Sequence, residues 1–151
     1  MTETQETKST TPLVFVGCYS KPGGSTGESI YTYRLDMSTG VLIYNGAVAG
    51  GENASYLAIS PDNRLLIAVN ETVSFEGQPG GGVAALGLDP ATGAMSLLNQ
   101  QRSHGGLPCY VSIDATQKVA LISNYLGGNI ALMPILADGR LGPATDIIQH
   151  S

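Results

Sequence analysis

Glu71 closes the apolar run Leu-Leu-Ile-Ala-Val-Asn-Glu, and a carboxylate at the mouth of a funnel can act as a general base or orient one. Asn70 stands just before it, and Asn124 with Tyr125 occupies the same two places 54 positions later (124 − 70). Tyr56 and Tyr110 are separated by the same interval, His104 follows in a glycine-flanked loop, and Lys21 and Arg102 could meet an anionic ligand. Together these residues suit a polar ligand handled by acid–base and electrostatic chemistry. Each also has a plainer use: Glu71 as an exposed strand-end residue, Asn70 and Asn124 as partners for loop backbone groups, His104 and the cations as solvated side chains. His104 and His150 are the only histidines, and no His, Cys, Asp or Glu cluster has metal-ligand spacing, so neither a metal nor a cofactor is expected. The chain has no P-loop; Gly-Gln-Pro-Gly-Gly-Gly-Val precedes a strand rather than a helix and does not read as a phosphate cradle.

The elements that must position these residues repeat. LDMSTGVL (Leu35 to Leu42) and LDPATGAM (Leu88 to Met95) spell the same turn, in which Asp can bond its own backbone two residues on and Gly accepts positive φ. SYLAISPDNRLLIAVNE (Ser55 to Glu71) lies over CYVSIDATQKVALISNY (Cys109 to Tyr125) at a constant offset of 54 (109 − 55), so the period covers a whole unit. Each unit reads as four short strands, A to D. The second unit places them at about Ser55 to Ser60, Leu65 to Asn70, Gly82 to Leu88 and Met95 to Gln101. The third places them at Cys109 to Ile113, Val119 to Asn124 and Asn129 to Leu136, with a last strand from near Leu141. In the first unit, Leu13 to Ser20 aligns with strand B, so that unit shows no A strand of its own. Pro134 removes a ladder donor inside a C strand and predicts a bulge or irregular pairing there.

Antiparallel four-stranded units of this period make a β-propeller. The expected fold is therefore all-β, a propeller fragment of about three blades: a tail over residues 1–11, blade 1 over 12–50, blade 2 over 51–104 and an incomplete blade 3 over 105–151. The A–B and C–D turns (PDNR, ATQK, DMSTG, DPATG, ADG) are compact and share one face; the longer Gly-rich B–C and D–A loops share the other. A site belongs on the loop face near the axis, where Glu71, Asn124, Tyr125, Tyr110 and Lys21 are the candidate ligand-binding residues.

Composition narrows the classes. The 151 residues include 20 glycines and 8 prolines, and the hydrophobic share of 42% is that of a globular chain. A net charge of −5 with scattered Lys and Arg gives no basic stripe for nucleic acid. No apolar run reaches the roughly 20 residues of a membrane span. Residues 1–11 are polar and Thr-rich, without the hydrophobic core of a signal, and are expected to be disordered. Cys18 and Cys109 are too few for a disulfide framework and read as small buried thiols, which fits a reducing cytoplasm.

VFVGCYS, IYTYRLDMSTGVL, LAISPDNRLLIAVNE, GGGVAALGLDPATGAMSLLNQQ and the stretch from Gly106 to His150 resemble, in this order, the N-terminal portion of the seven-bladed β-propeller lactonases of the 6-phosphogluconolactonase type. The resemblance implies hydrolysis of a sugar lactone, 6-phosphogluconolactone, and extends to the related carboxymuconate lactonizing enzymes. It also implies a catalytic set of His, Arg, Glu and a further Arg in later blades, all expected beyond Ser151. No catalytic residue is therefore assigned here, and Glu71 is a blade-to-blade cousin of the catalytic Glu. Where relatives often carry Pro-Cys-His, this chain has Pro108, Cys109 and Tyr110. The implied picture is a lactonase-family chain inactive by itself, with a non-enzymatic binding module as the alternative. An open set of blades exposes apolar faces and strand edges, so self-association is expected.

Overall fold

The computed structural model describes residues 11–19 and 27–150. The expected tail, apart from Thr11, and Lys21 lie outside the described residues. Thirteen strands and no helix occur among the described residues. The first sheet holds β1 (Leu13–Gly17), β2 (Ile30–Leu35) and β3 (Leu42–Val48) in that order. The second holds β4 (Ala54–Ile59), β5 (Leu65–Asn70), β8 (Gly82–Leu88) and β9 (Met95–Arg102); a small hairpin, β6 (Ser74–Phe75) with β7 (Gln78–Pro79), interrupts it. The third holds β10 (Pro108–Ile113), β11 (Val119–Asn124), β12 (Asn129–Pro134) and β13 (Asp146–Gln149). All pairs are antiparallel. β4 packs against β1 on one side and β10 on the other, so the first strands of the three sheets meet, while among the last strands β3 touches β9. The fold is a partial β-propeller.

The strand alternation explains how three sheets stack. Along β5, Leu66 and Ala68 enter a core with Ile30, Ala54, Ala84 and Leu86 between the first and second sheets. Leu65, Ile67 and Val69 point the other way, into a core with Val83, Ala85, Val111, Ala120, Ile122, Ala131 and Met133 of the second and third sheets. Successive side chains of a strand leave on opposite faces, so a strand covered on both sides must be apolar throughout, and β5 is buried at all six residues. Gly17 permits the approach of the first sheet to the second: a Cβ there would lie 2.0 Å from the carbonyl oxygen of Ala54.

The repeated turns form as their sequences require. Asp36 Oδ1 accepts the backbone N–H of Ser38 at 2.8 Å, Asp89 Oδ1 that of Ala91 at 2.9 Å, and Gly40 and Gly93 follow at φ 74° and 76°. In three places the chain departs from expectation. Pro134 causes no bulge, and the β11–β12 register runs evenly from Val119↔Pro134 to Asn124↔Asn129. Its carbonyl accepts from Gly142 N at 2.8 Å, so its donor-less side faces the edge beyond the end of β13, where no ladder bond is lost. The last strand starts at Asp146 instead of near Leu141; Leu141 makes one bridge to Ile135 and is buried in the core. The loop from Glu71 to Gly81 contains the β6–β7 hairpin, turned by Glu76 and Gly77 at φ 50° and 75°.

Candidate functional site

The B–C and D–A loops meet on one face. Leu107 N donates to Thr72 O (2.9 Å), Tyr125 N to Leu107 O (2.9 Å) and Gly81 N to Gly105 O (2.8 Å), which ties the second sheet's loops to the third's. Asn70 and Asn124 hold the strand ends beneath them. Asn70 Nδ2 donates to Gly50 O at 2.8 Å, and its Oδ1 accepts from Gln100 Nε2 at 3.1 Å. Asn124 Nδ2 donates to Ser103 O and to Asn129 Oδ1, both at 2.9 Å, and Asn129 Nδ2 continues to His104 O at 3.0 Å. Both asparagines are buried, and their amides fasten each D–A loop to the B strand of the sheet it enters. Asn124 Oδ1 is buried without a partner among the described residues.

Glu71 follows β5 at the rim. Its backbone is fixed by Asn53, through Glu71 N to Asn53 O (3.0 Å) and Asn53 Nδ2 to Glu71 O (3.1 Å), which leaves the carboxylate for other partners. Tyr19, just past the end of β1, feels it: its phenol is pushed above its ordinary pKa, first by hydrogen bonding with Glu71 and then by desolvation and the carboxylate's charge. Tyr19 was not singled out from the sequence. The alignment of Leu13–Ser20 with strand B carried the signal, because it puts Tyr19, Glu71 and Tyr125 at one repeat position. Tyr125 stands at the equivalent rim position of the third sheet, 78% exposed. Lys21 lies outside the described residues.

Below the rim, Tyr56 and Tyr110 stand on the innermost strands of their sheets, with ring centroids 4.8 Å apart and planes inclined by 50°. Each follows an extra residue: the pairing shifts between Ala54 and Tyr56 and between Pro108 and Tyr110, so Ser55 and Cys109 are bulged. The bulge turns Cys109 outward. Its thiol is exposed and Cys18 is half-buried, so neither is the buried thiol expected. His104, at φ 63°, has its pKa lowered by desolvation and then by the Arg102 charge, which favours the neutral imidazole. Arg102 spends its Nε on Pro79 O at 2.8 Å. Among the described residues no group of three or more His, Cys, Asp or Glu could hold a metal ion.

The opposite, compact-turn face has clefts between the sheets. One of about 690 Å³ lies between the first and second, lined by Phe15, Arg34, Ile59 and Pro90; one of about 720 Å³ lies between the second and third, lined by Arg64, Leu98, Lys118 and Asp138. Arg34 is occupied there by Asn45 Oδ1, Thr11 Oγ1 and two carbonyls, and Asp138 by Arg140 at 2.7 Å, so these charges brace turns.

The family model described as lactonase, 7-bladed beta-propeller, matches residues 13–151. The chain belongs to that family. It is 35% identical over 137 residues to the 6-phosphogluconolactonase of Bacillus subtilis, with 91% of this chain covered and 37% of the relative. A solved structure from Bacteroides fragilis superposes with a TM-score of 0.82 at 33% identity, covering 95% of this chain and 38% of that one. The Pseudomonas aeruginosa periplasmic gluconolactonase PpgL gives 0.77 at 29% identity, covering 91% and 38%. The chain thus spans little more than a third of the length of the relatives it matches. In this chain of the lactonase family, the inner strands and the loop face are where a ligand can reach several blades at once. No helix among the described residues is long and apolar enough to cross a membrane.

Proposed function

We propose that this chain forms part of the substrate funnel of a sugar-lactone hydrolase acting on 6-phosphogluconolactone, and that by itself it binds the sugar without turning it over. The observation that carries the reading is the match to the lactonase family over residues 13–151, joined to 35% identity with a 6-phosphogluconolactonase. Lactone hydrolysis needs a water activated against the ring carbonyl, donors for the tetrahedral oxyanion, and a cation for the substrate phosphate. The water adds to the carbonyl carbon, its proton goes to a base, and the ring C–O bond breaks as the leaving oxygen takes a proton. In this reading Glu71, held by Tyr19, faces the substrate's polar edge, and Tyr110 and Tyr125 form wall. Lys21 meets the phosphate, and Asn124 holds the loop that presents its neighbours.

The reading carries the cytoplasm as location, supported by Cys18 and Cys109 being free thiols, and excludes nucleic acid as partner, supported by the net charge of −5. It also carries self-association, supported by the exposed apolar residues Leu42, Ile43 and Tyr44 on β3 and Ile147 and Ile148 on β13, which are last strands of their sheets. The deciding experiment measures 6-phosphogluconolactone hydrolysis by the 151-residue chain against the spontaneous rate, with binding of 6-phosphogluconate followed by calorimetry. Saturable binding with no added turnover is expected. Turnover well above background would overturn the non-catalytic part, and no binding would overturn the whole.

A further inference from the structure

We propose that Tyr56 and Tyr110 form an aromatic platform on the channel wall that stacks against the C–H face of a sugar-lactone ring; this rests on the function proposed above. Three observations carry it. First, neither ring belongs to a core: Tyr56 and Tyr110 are absent from both clusters between the sheets, and they stay 39% and 45% exposed while packed on each other. Tyrosines serving only to join sheets would sit in those clusters. Second, each stands on the first strand of its sheet, where the three sheets meet, so the exposed ring surface belongs to the axis side. Third, a bulge at the same place in both repeats, at Ser55 and at Cys109, precedes each ring and sets its direction; bulges are used to re-aim side chains beside functional sites.

The chemistry of the ligand follows from the mixture of surfaces. The rim above the pair is polar, with Glu71, Tyr125 and the loop backbone, while the pair offers a patch of aromatic face edged by two phenol hydroxyls. A partner must therefore have a flat array of C–H bonds on one side and hydroxyl or carboxylate groups around its edge. A sugar lactone, with its ring C–H face and peripheral hydroxyl and carbonyl groups, has both. A fully apolar ring would leave the phenols and Glu71 desolvated without partners, and a linear polyanion would gain nothing from the rings.

The test uses the full chain with 6-phosphoglucono-1,5-lactam and, separately, unphosphorylated glucono-1,5-lactam, ring analogues of the lactone that resist opening, read by saturation-transfer NMR from irradiated aromatic protons to the sugar C–H protons, with affinity from calorimetry. Expected are transfer with both sugars, loss of transfer in Y56L and Y110L with affinity weakened about tenfold, retention in Y56F and Y110F, and no change in Y44L, whose ring is remote on β3. Because the Phe variants keep the packed pair, they separate loss of stacking from loss of fold. Binding that survives unchanged in Y56L and Y110L overturns the platform and leaves the proposed function standing. Wild-type binding of neither sugar overturns both.

Discussion

The second and third sheets are built from one repeat, yet their B strands bury differently. β5, LLIAVN, is covered at every residue, whereas β11, VALISN, alternates, with Ala120, Ile122 and Asn124 buried and Leu121 40% exposed. The backbone pairing is the same in both: each B strand is flanked by an A strand across one bulge and by a C strand in even antiparallel register. What differs is the neighbour. The second sheet has a sheet on each face, the third has one on a single face among the described residues. Burial in this fold is therefore a property of the stack, and the hydrophobic pattern of a strand reports how many neighbours it has as much as what it is.

The largest test of that comparison is truncation at matched depth. Ile67 is fully buried in the core between the second and third sheets, and Ile67→Ala should cost about 2–5 kcal/mol. Leu121→Ala, on the open face of the third sheet, should cost under about 1 kcal/mol, because little surface is returned to water. Denaturant unfolding of the two variants measures both. Equal losses would mean that the open face of the third sheet is covered in solution, which self-association would also produce, and a concentration-dependent midpoint would identify it.

Next in size are the two loop-holding asparagines. Removing the Asn70 amide strands Gly50 O and Gln100 Nε2, and should cost about 1–3 kcal/mol. Asn124→Ala also strands partners, Ser103 O and Asn129 Oδ1, but it removes an Oδ1 that already lacks a donor, so part of an existing penalty disappears. Asn124→Ala should therefore cost less than Asn70→Ala. Hydrogen exchange should show the Gly50–Gly51 amides released in the first variant and the Ser103–Gly105 amides in the second; the reverse ranking of stability would break the argument.

These cases also show what the sequence could reveal. The repeat, the turn chemistry of Asp36 and Asp89 and the two faces of the disk are legible because each rests on local rules, strand alternation and Asx turns, that act within a few residues. The bulges at Ser55 and Cys109 are not legible, since an extra residue in one strand shows only against its partner's register, and so the outward turn of the Cys109 thiol could not be read. The Tyr19–Glu71 contact was within reach through the alignment of strand ends, but only once adjacent sheets were known to bring those ends together. Pro134 misled for a related reason: a missing donor matters only if a neighbouring strand was there to accept it.

The smallest effect distinguishes the sheets at their turns. Asp36 is lowered to about 2, first by the Ser38 hydroxyl, whose bond to Oδ1 is 2.6 Å, and then by the Ser38 N–H. Asp114 is likewise lowered to about 2, first by the Thr116 hydroxyl. Asp89 is lowered by the N–H of Ala91 before any hydroxyl, because alanine stands where the other turns carry Ser or Thr. In each case the folded pKa is below the ordinary 3.8, so the turn's contribution is present above that pH and is lost as pH falls through the folded value. The C–D turn of the first sheet, at Asp36, should thus persist to lower pH than the C–D turn of the second, at Asp89. Carboxyl NMR titration should place Asp36 and Asp114 near 2 and Asp89 above them, and Ser38→Ala should move Asp36 upward toward Asp89. Because all three carboxylates are fully exposed, global stability should respond only weakly, and the site-resolved titration decides the matter: an unmoved Asp36 in Ser38→Ala would show that the backbone donors, shared by every copy of the turn, set its acidity.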